Sequence, residues 1–136
     1  MKQAFLDTSG LIAVVNTDDS WHAKAESIWA DLMASAASHV TTSLVLIELA
    51  DGLSRVQHRS LALQIVDALR KSKRIKIVQS DVSLETRGWR LFRDRSDKAW
   101  GMTDCVSMAL MADLGIEDAF TADHHFEQAG FNILLK

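Results

Sequence analysis

The chain has no proline and a single cysteine, Cys105, in its 136 residues. No internal disulfide is therefore possible, and a reducing, cytoplasmic compartment is the one this composition predicts. Linkers, low-complexity segments and internal repeats are also missing, so residues 1–136 are expected to form a single domain around one core. No run is long and apolar enough to suggest a membrane span. Asp7 interrupts the apolar start Met1-Lys2-Gln3-Ala4-Phe5-Leu6 before a secretory segment can develop. Neither a GxxxxGKS/T nor a GxGxxG phosphate loop is present, which argues against a nucleotide cofactor. His124 and His125 are adjacent and lack partners at zinc-binding spacing, which argues against zinc.

With 48% hydrophobic and 24% charged residues, the composition is that of an ordinary soluble globular protein. The formal net charge of −3 argues against a nucleic-acid partner, but its distribution does not. Residues 70–98 hold ten of the fifteen Lys and Arg and only four of the eighteen acids. A chain divided in this way can hold phosphates on one patch and cations on another. The alternative is that the basic stretch is the solvated side of two helices.

Short apolar segments alternate with longer amphipathic ones. Strands are expected at 4–6, 39–42, 75–78, 118–121 and 131–135. Helices are expected at 8–15, 20–37, 44–55, 59–72, 84–95 and 103–114, the last closed by Gly115. In the second helix Trp21, Ala25, Ile28, Trp29 and Leu32 recur at helical spacing. The alternation predicts an α/β fold with a central, mainly parallel, five-stranded sheet and helices on both faces.

In such a sheet ligands bind beyond the carboxyl ends of the strands, and four acids fall there. Asp7 directly follows the first strand, and Asp123 lies just beyond the fourth. Asp104 sits in the first turn of the helix leading into the fourth strand, and Glu48 is a little over one helical turn beyond the second. Each also has a structural explanation. Asp7 can cap the first helix, and Asp104 can complement the helix dipole with Thr103 as cap. Asp123 can serve a turn, and Glu48 can face solvent with Asp51 and Arg55. Glu48 interrupts the apolar run Leu44-Val45-Leu46-Ile47 and Leu49-Ala50, where a carboxylate needs a compensating cation or donor. Converging carboxylates call for a hard divalent cation with oxygen ligands, such as Mg²⁺ or Mn²⁺.

Phe5-Leu6-Asp7-Thr8-Ser9 resembles the opening motif of PIN domains. Ile47-Glu48-Leu49 is similar to the helical glutamate of that family, and Thr103-Asp104-Cys105 to its third acid. Thr121-Ala122-Asp123-His124-His125-Phe126 resembles the closing motif of its VapC-type toxin members. The motifs occur in the family order, and the resemblance runs from residue 3 to residue 135. It implies a PIN-like domain with Asp7, Glu48, Asp104 and Asp123 gathered around Mg²⁺ or Mn²⁺. It further implies endonuclease activity on RNA, frequent homodimers, and the toxin half of a toxin–antitoxin pair restrained by a small antitoxin protein. Ser9 and Thr121 lie beside the acids and are suited to orienting a carboxylate or a water, capping and turn chemistry being the alternative. His125 matches the closing motif without an assignable role.

Hydrolysis with a metal-activated water does not require the ribose 2′-hydroxyl, so 5′-phosphate and 3′-hydroxyl ends are expected. Arg87, Arg90, Arg93, Arg95 and Lys98 are candidate phosphate contacts. Trp100 is a candidate base-stacking residue, with core packing the stronger alternative. Cys105 reads as a small buried hydrophobe. A haloacid-dehalogenase-like phosphatase would need a second Asp where Ser9 stands, and a receiver domain would need paired acids at the first strand. An RNA-processing nuclease without a toxin role, and a PIN-like module that only binds a partner, remain alternatives.

Overall fold

The computed structural model describes residues 2–136. Five strands form one sheet: β1 (Ala4–Leu6), β2 (His39–Thr42), β3 (Ile75–Val78), β4 (Asp118–Phe120) and β5 (Asn132–Ile133). Their order is β3-β2-β1-β4-β5, and every pairing is parallel. The expected mainly parallel sheet is thus wholly parallel. Every residue of β1 is buried. Successive side chains of a strand point to opposite faces, so the centre of the sheet is covered on both sides.

Among the described residues the sheet is surrounded by α1 (Thr8–Val15), α2 (His22–Ala34), α3 (Ser43–Gly52), α4 (Arg59–Lys71), α5 (Val82–Asp94), α6 (Met102–Leu114) and α7 (His124–Gln128). A 3₁₀ turn at Val56–His58 precedes α4. Local chemistry sets most ends. Thr42 and Asp81 cap α3 and α5 by accepting bonds from the amides of Val45 and Leu84, at 3.2 and 2.8 Å. Gly115, at φ 68°, closes α6 in the left-handed conformation that a side chain disfavours. In α4 the buried Ala62, Ile65 and Leu69 recur at helical spacing, and Arg70 and Lys71 favour the dipole in its last turn.

The helix expected at 20–37 is shorter at both ends. The Asp19 carboxylate accepts from the Trp21 amide, and the Ser35 hydroxyl accepts from the Ala37 amide. These side chains offer the backbone an alternative to the helical ladder. The strand expected at 131–135 pairs as a strand only at Asn132–Ile133. Beyond it the Leu134 and Leu135 amides still bond to the carbonyls of Ala119 and Thr121. Helix α7 has no counterpart among the expected elements: five residues are too few for an apolar period to show.

Because the strand order turns at β1, that strand lies between β2 on one side and β4 on the other. The crevice above the carboxyl ends of β1 and β4 is the topological switch point where open α/β sheets bind ligands. Close approach of α1 to β4 defines one wall of it. A Cβ on Gly10 would lie 2.3 Å from the Phe120 carbonyl oxygen, so α1 seats only with glycine there. Although alanine is the better helix former, Gly10→Ala is expected to cost about 1–3 kcal/mol through overpacking against rigid backbone. A thermal unfolding midpoint equal to or above that of the parent protein would show that α1 tolerates a side chain at this approach.

Candidate active site

Asp7 stands where β1 passes into α1. It occupies the N-cap position, but its carboxylate makes no capping hydrogen bond. It is 3% exposed, and one of its oxygens, Oδ1, is buried without a hydrogen-bond partner among the described residues. The other, Oδ2, accepts from the Thr121 hydroxyl at 2.7 Å. Burial pushes the acid up to about 7, the Thr121 bond and the Thr8 amide oppose this, and the charges of Asp104 and Glu48 add to it.

A directed chain of donors holds Oδ2. An ionised Asp7 can only accept, so Thr121 donates to it. Thr121 has one proton to give, so the Ser9 hydroxyl, 2.8 Å away, donates to Thr121. The Ala122 amide in turn donates to Ser9 at 3.0 Å, and the Asp123 amide to Thr121 at 3.0 Å. Ser9 and Thr121 thereby orient the Asp7 carboxylate, and Oδ1 is left without a partner.

Asp104 lies in the first turn of α6, whose N-cap is Gly101 rather than the expected Thr103. The Thr103 carbonyl instead accepts from the Ser107 hydroxyl one turn on. Burial raises Asp104 to about 6, with the charge of Asp123 next, and a hydrogen bond with His125 works against the shift. Asp123 caps α7, accepting from the His125 amide at 2.9 Å. The turn role open to Asp123 is therefore real, and it coexists with a place in the crevice. The His125 ring sits between the two acids, its Nδ1 being 3.4 Å from Asp104 and 3.3 Å from Asp123. Asp104, Asp123 and His125 bring ligand-type atoms within 4.8 Å of one another.

Glu48 is half-buried, not a solvent-facing partner of Asp51 and Arg55. Its Oε1 accepts a 2.5 Å bond from the Thr8 hydroxyl, which turns α3 toward α1. It stands outside the tightest group and acts on Asp7 and Asp104 through its charge. Thr8 and His125 are the two residues here to which the sequence assigns no role. The position of Thr8 beside Asp7 is the available signal for the first; the closing motif marks the second, and the start of α7 supplies its place between Asp104 and Asp123.

No Lys or Arg pairs with any of the four acids among the described residues. A buried and three half-buried carboxylates, whose charges raise Asp7 and Asp104, together with an orphaned oxygen and hard oxygen donors fit a divalent cation. The candidate phosphate contacts are dispersed by comparison. Arg87 is committed to Asp113 at 2.7 Å and to the Ser83 hydroxyl at 3.0 Å. Lys98 and Arg95 pair with Asp97 at 3.9 and 3.2 Å. Arg90 and Arg93 are exposed and make no ion pair among the described residues. Trp100 is 4% exposed, donates to Gln128 at 3.0 Å and lies under the Arg95 guanidinium, as core packing requires. Cys105 is fully buried, and burial raises its thiol pKa, as a structural hydrophobe requires.

A wholly parallel α/β sheet with one buried and three half-buried acids at its switch point defines an acid-lined crevice suited to a hydrolase. The chain belongs to the PIN-domain family, whose profile matches residues 4–132. It is 30% identical over 128 residues to proteins named 23S rRNA-specific endonuclease VapC20 from two strains of Mycobacterium tuberculosis. That match spans 93% of this chain and 94% of theirs. The crystal structure of M. tuberculosis VapC20, described as a sarcin–ricin loop cleaving toxin, superposes with a TM-score of 0.85 at 27% identity. It covers 95% of this chain and 96% of that one. VapBC2 of Rickettsia felis, bound to a fragment of its promoter DNA, and FitAcB of Neisseria gonorrhoeae share the fold at TM-scores of 0.66 and 0.61. Both are 15% identical, over 98% of this chain and 97% and 96% of theirs. No helix among the described residues is long and apolar enough to cross a membrane.

Proposed function

We propose that the protein is a divalent-metal-dependent endoribonuclease, the toxin of a toxin–antitoxin pair, acting on structured RNA of the ribosomal hairpin kind. The observation that carries this is the crevice itself: Asp7 with an orphaned buried oxygen, facing the charges of Asp104 and Glu48, with Asp123 beside Asp104 and no Lys or Arg paired to any of them among the described residues. The likeness to VapC20 supports the substrate class. Mg²⁺ or Mn²⁺ held by these acids would supply a water activated at neutral pH and offset charge on the phosphoryl oxygens.

The chain's own residues prepare that chemistry. Ser9 and Thr121 fix the plane of the Asp7 carboxylate, so Oδ1 keeps one direction. Thr8 anchors Glu48 across the crevice. His125 holds Asp104 and Asp123 together from the α7 side. Orientation of ligands by such partners is commonly worth about 10–100-fold in activity or metal affinity.

Incubation of the purified protein with a ribosomal hairpin RNA tests the reading. Cleavage is expected with Mg²⁺ or Mn²⁺, to cease with EDTA, and to leave 5′-phosphate and 3′-hydroxyl ends. Cutting at undiminished rate in EDTA, or a 2′,3′-cyclic phosphate product, would overturn the metal mechanism.

The inhibitory partner needs a surface of its own. A groove between the apolar face of α2 and α3 is one candidate, but Ala25 and Leu32 of α2 are buried and Trp21, Ile28 and Trp29 pack against the core. The groove beside α3 is made with α4 instead. It has a volume of about 460 Å³ and is flanked by Ile47 and Leu63, which are 58% and 64% exposed. Ile47 adjoins Glu48, so an amphipathic antitoxin segment seated there lies next to the acid crevice.

A further inference from the structure

A second cavity, of about 350 Å³, opens between α5 and α6 and is separate from the acid crevice. Leu91, Ala109 and Phe131 line it with apolar surface over the buried Trp100 and Met108, and Arg87, Arg90 and Arg95 line it beside the carboxylates of Asp94 and Asp113. Its volume is in the range of sites that take small organic ligands, about 300–1,000 Å³. Arg87 already spends two of its nitrogens on Ser83 and Asp113, yet its Nε is buried with no acceptor among the described residues. Arg90 has no carboxylate partner among the described residues. A ligand with a flat apolar body and anionic oxygens meets both needs, and an unpaired nucleotide has that composition.

The cavity also lies on elements that begin at the acid crevice. Helices α6 and α7 both begin at the acid crevice, at Asp104 and Asp123. The cavity is lined by residues further along the same path, including Met108, Ala112 and Ala129. At the helical rise, Met108 and Ala112 are about 6 and 12 Å beyond Asp104 along the axis. A stacked strand advances about 3.4 Å per nucleotide, so the cavity lies a few nucleotides from the acids.

We propose that this cavity binds one extruded, unpaired nucleotide of the RNA, with its base against Leu91, Ala109 and Phe131 and its phosphate against Arg87 and Arg90. The proposal rests on the endoribonuclease reading above and adds to it a second contact that selects loops over paired stems. Extrusion is cheapest for a base that is already unpaired.

Cleavage kinetics test it, using the intact protein with Mn²⁺ and a ribosomal hairpin RNA carrying an abasic site at each loop position in turn. Ala109 is half-buried and lines the cavity, so Ala109→Phe fills it. This variant is expected to raise KM about tenfold and leave kcat within about twofold, as loss of one stacked base would do. One abasic position should raise the wild-type KM by a similar factor and have no further effect in Ala109→Phe. Arg90 is exposed, so Arg90→Ala should unfold at the parent temperature, raise KM several-fold and reduce the salt slope by about one unit. If the wild-type protein cleaves but neither variant nor any abasic position changes KM, the cavity proposal is wrong and the endoribonuclease reading stands. Absence of wild-type cleavage would remove the endoribonuclease reading itself. An Ala109→Phe protein with unchanged KM that escapes neutralisation by its inhibitory protein would assign the cavity to a protein segment and overturn the proposal.

Discussion

Asp7→Asn is expected to abolish RNA cleavage and, at about pH 8 without metal, to unfold at a higher temperature than the parent protein. Partners of metal ligands are worth about 10–100-fold, so loss of a ligand charge should cost at least a hundredfold or so. The stability change has the opposite sign because the folded protein holds this acid at about 7, against an ordinary value of 3.8. Between those values the native state keeps a proton that the unfolded chain has released. Stability from this group is complete below the lower value and is lost as pH rises through the higher one. Asp104, raised to about 6, works in the same direction over a narrower window. The distance between the folded and ordinary values of Asp7 sets a ceiling of about 4 kcal/mol. An asparagine can still accept from Thr121, but its amide then lies where Asp7 Oδ1 has no partner, which costs about 1–3 kcal/mol. The net gain should be about 1–3 kcal/mol, several degrees in Tm for a domain of this size. It should shrink toward about pH 4 as the parent acid takes up its proton. Thermal melts of both proteins across this range, with chelator present, make the comparison. An Asp7→Asn protein that is less stable at about pH 8 would show that burial of the Asp7 charge does not cost the fold stability.

Expression of the wild-type chain alone in a bacterial host is expected to stop growth, and co-expression with its antitoxin to restore growth. Asp104→Asn should be harmless, since it removes a crevice charge and leaves the fold intact. Leu63→Glu separates the two surfaces. Its side chain is 64% exposed beside the groove between α3 and α4 and is far from the acids in sequence. This variant should still arrest growth and should resist rescue, because a buried carboxylate would disfavour an apolar partner segment. A folded wild-type chain that is harmless on its own would refute the toxin role and leave an RNA-processing nuclease, or a module that only binds, in its place. Rescue of Leu63→Glu as complete as that of the parent would move the partner away from this groove.

The four acids were candidates because each sits at a place the chain marks locally, Asp7 after an apolar strand, Asp123 after another, Asp104 at a helix start and Glu48 inside an apolar run, and the likeness to PIN domains joined them into one set. Ser9 and Thr121 were legible as neighbours of those acids. Trp100 shows the limit of such reasoning. Its position before Asp104 suits a stacking residue as well as a core one, and only its burial and its bond to Gln128 decide between them. The basic stretch was legible as a count, but not as a distribution. Arg87 is tied to Asp113, while Arg90 is left without an ion pair among the described residues.

Local chemistry by itself determined most of the alternation of strands and helices, because that depends on residues a few positions apart, and the likeness to PIN domains singled out the four acids. The order β3-β2-β1-β4-β5 depends on pairings such as Phe5 with Val40 and Ala119. The bond from Thr121 to Asp7 joins positions 114 apart, and that from Thr8 to Glu48 joins positions 40 apart. No local pattern encodes which distant segment a strand or hydroxyl will meet. That is decided when burial of the shared core brings them together, and the same burial raises Asp7 and orphans its oxygen.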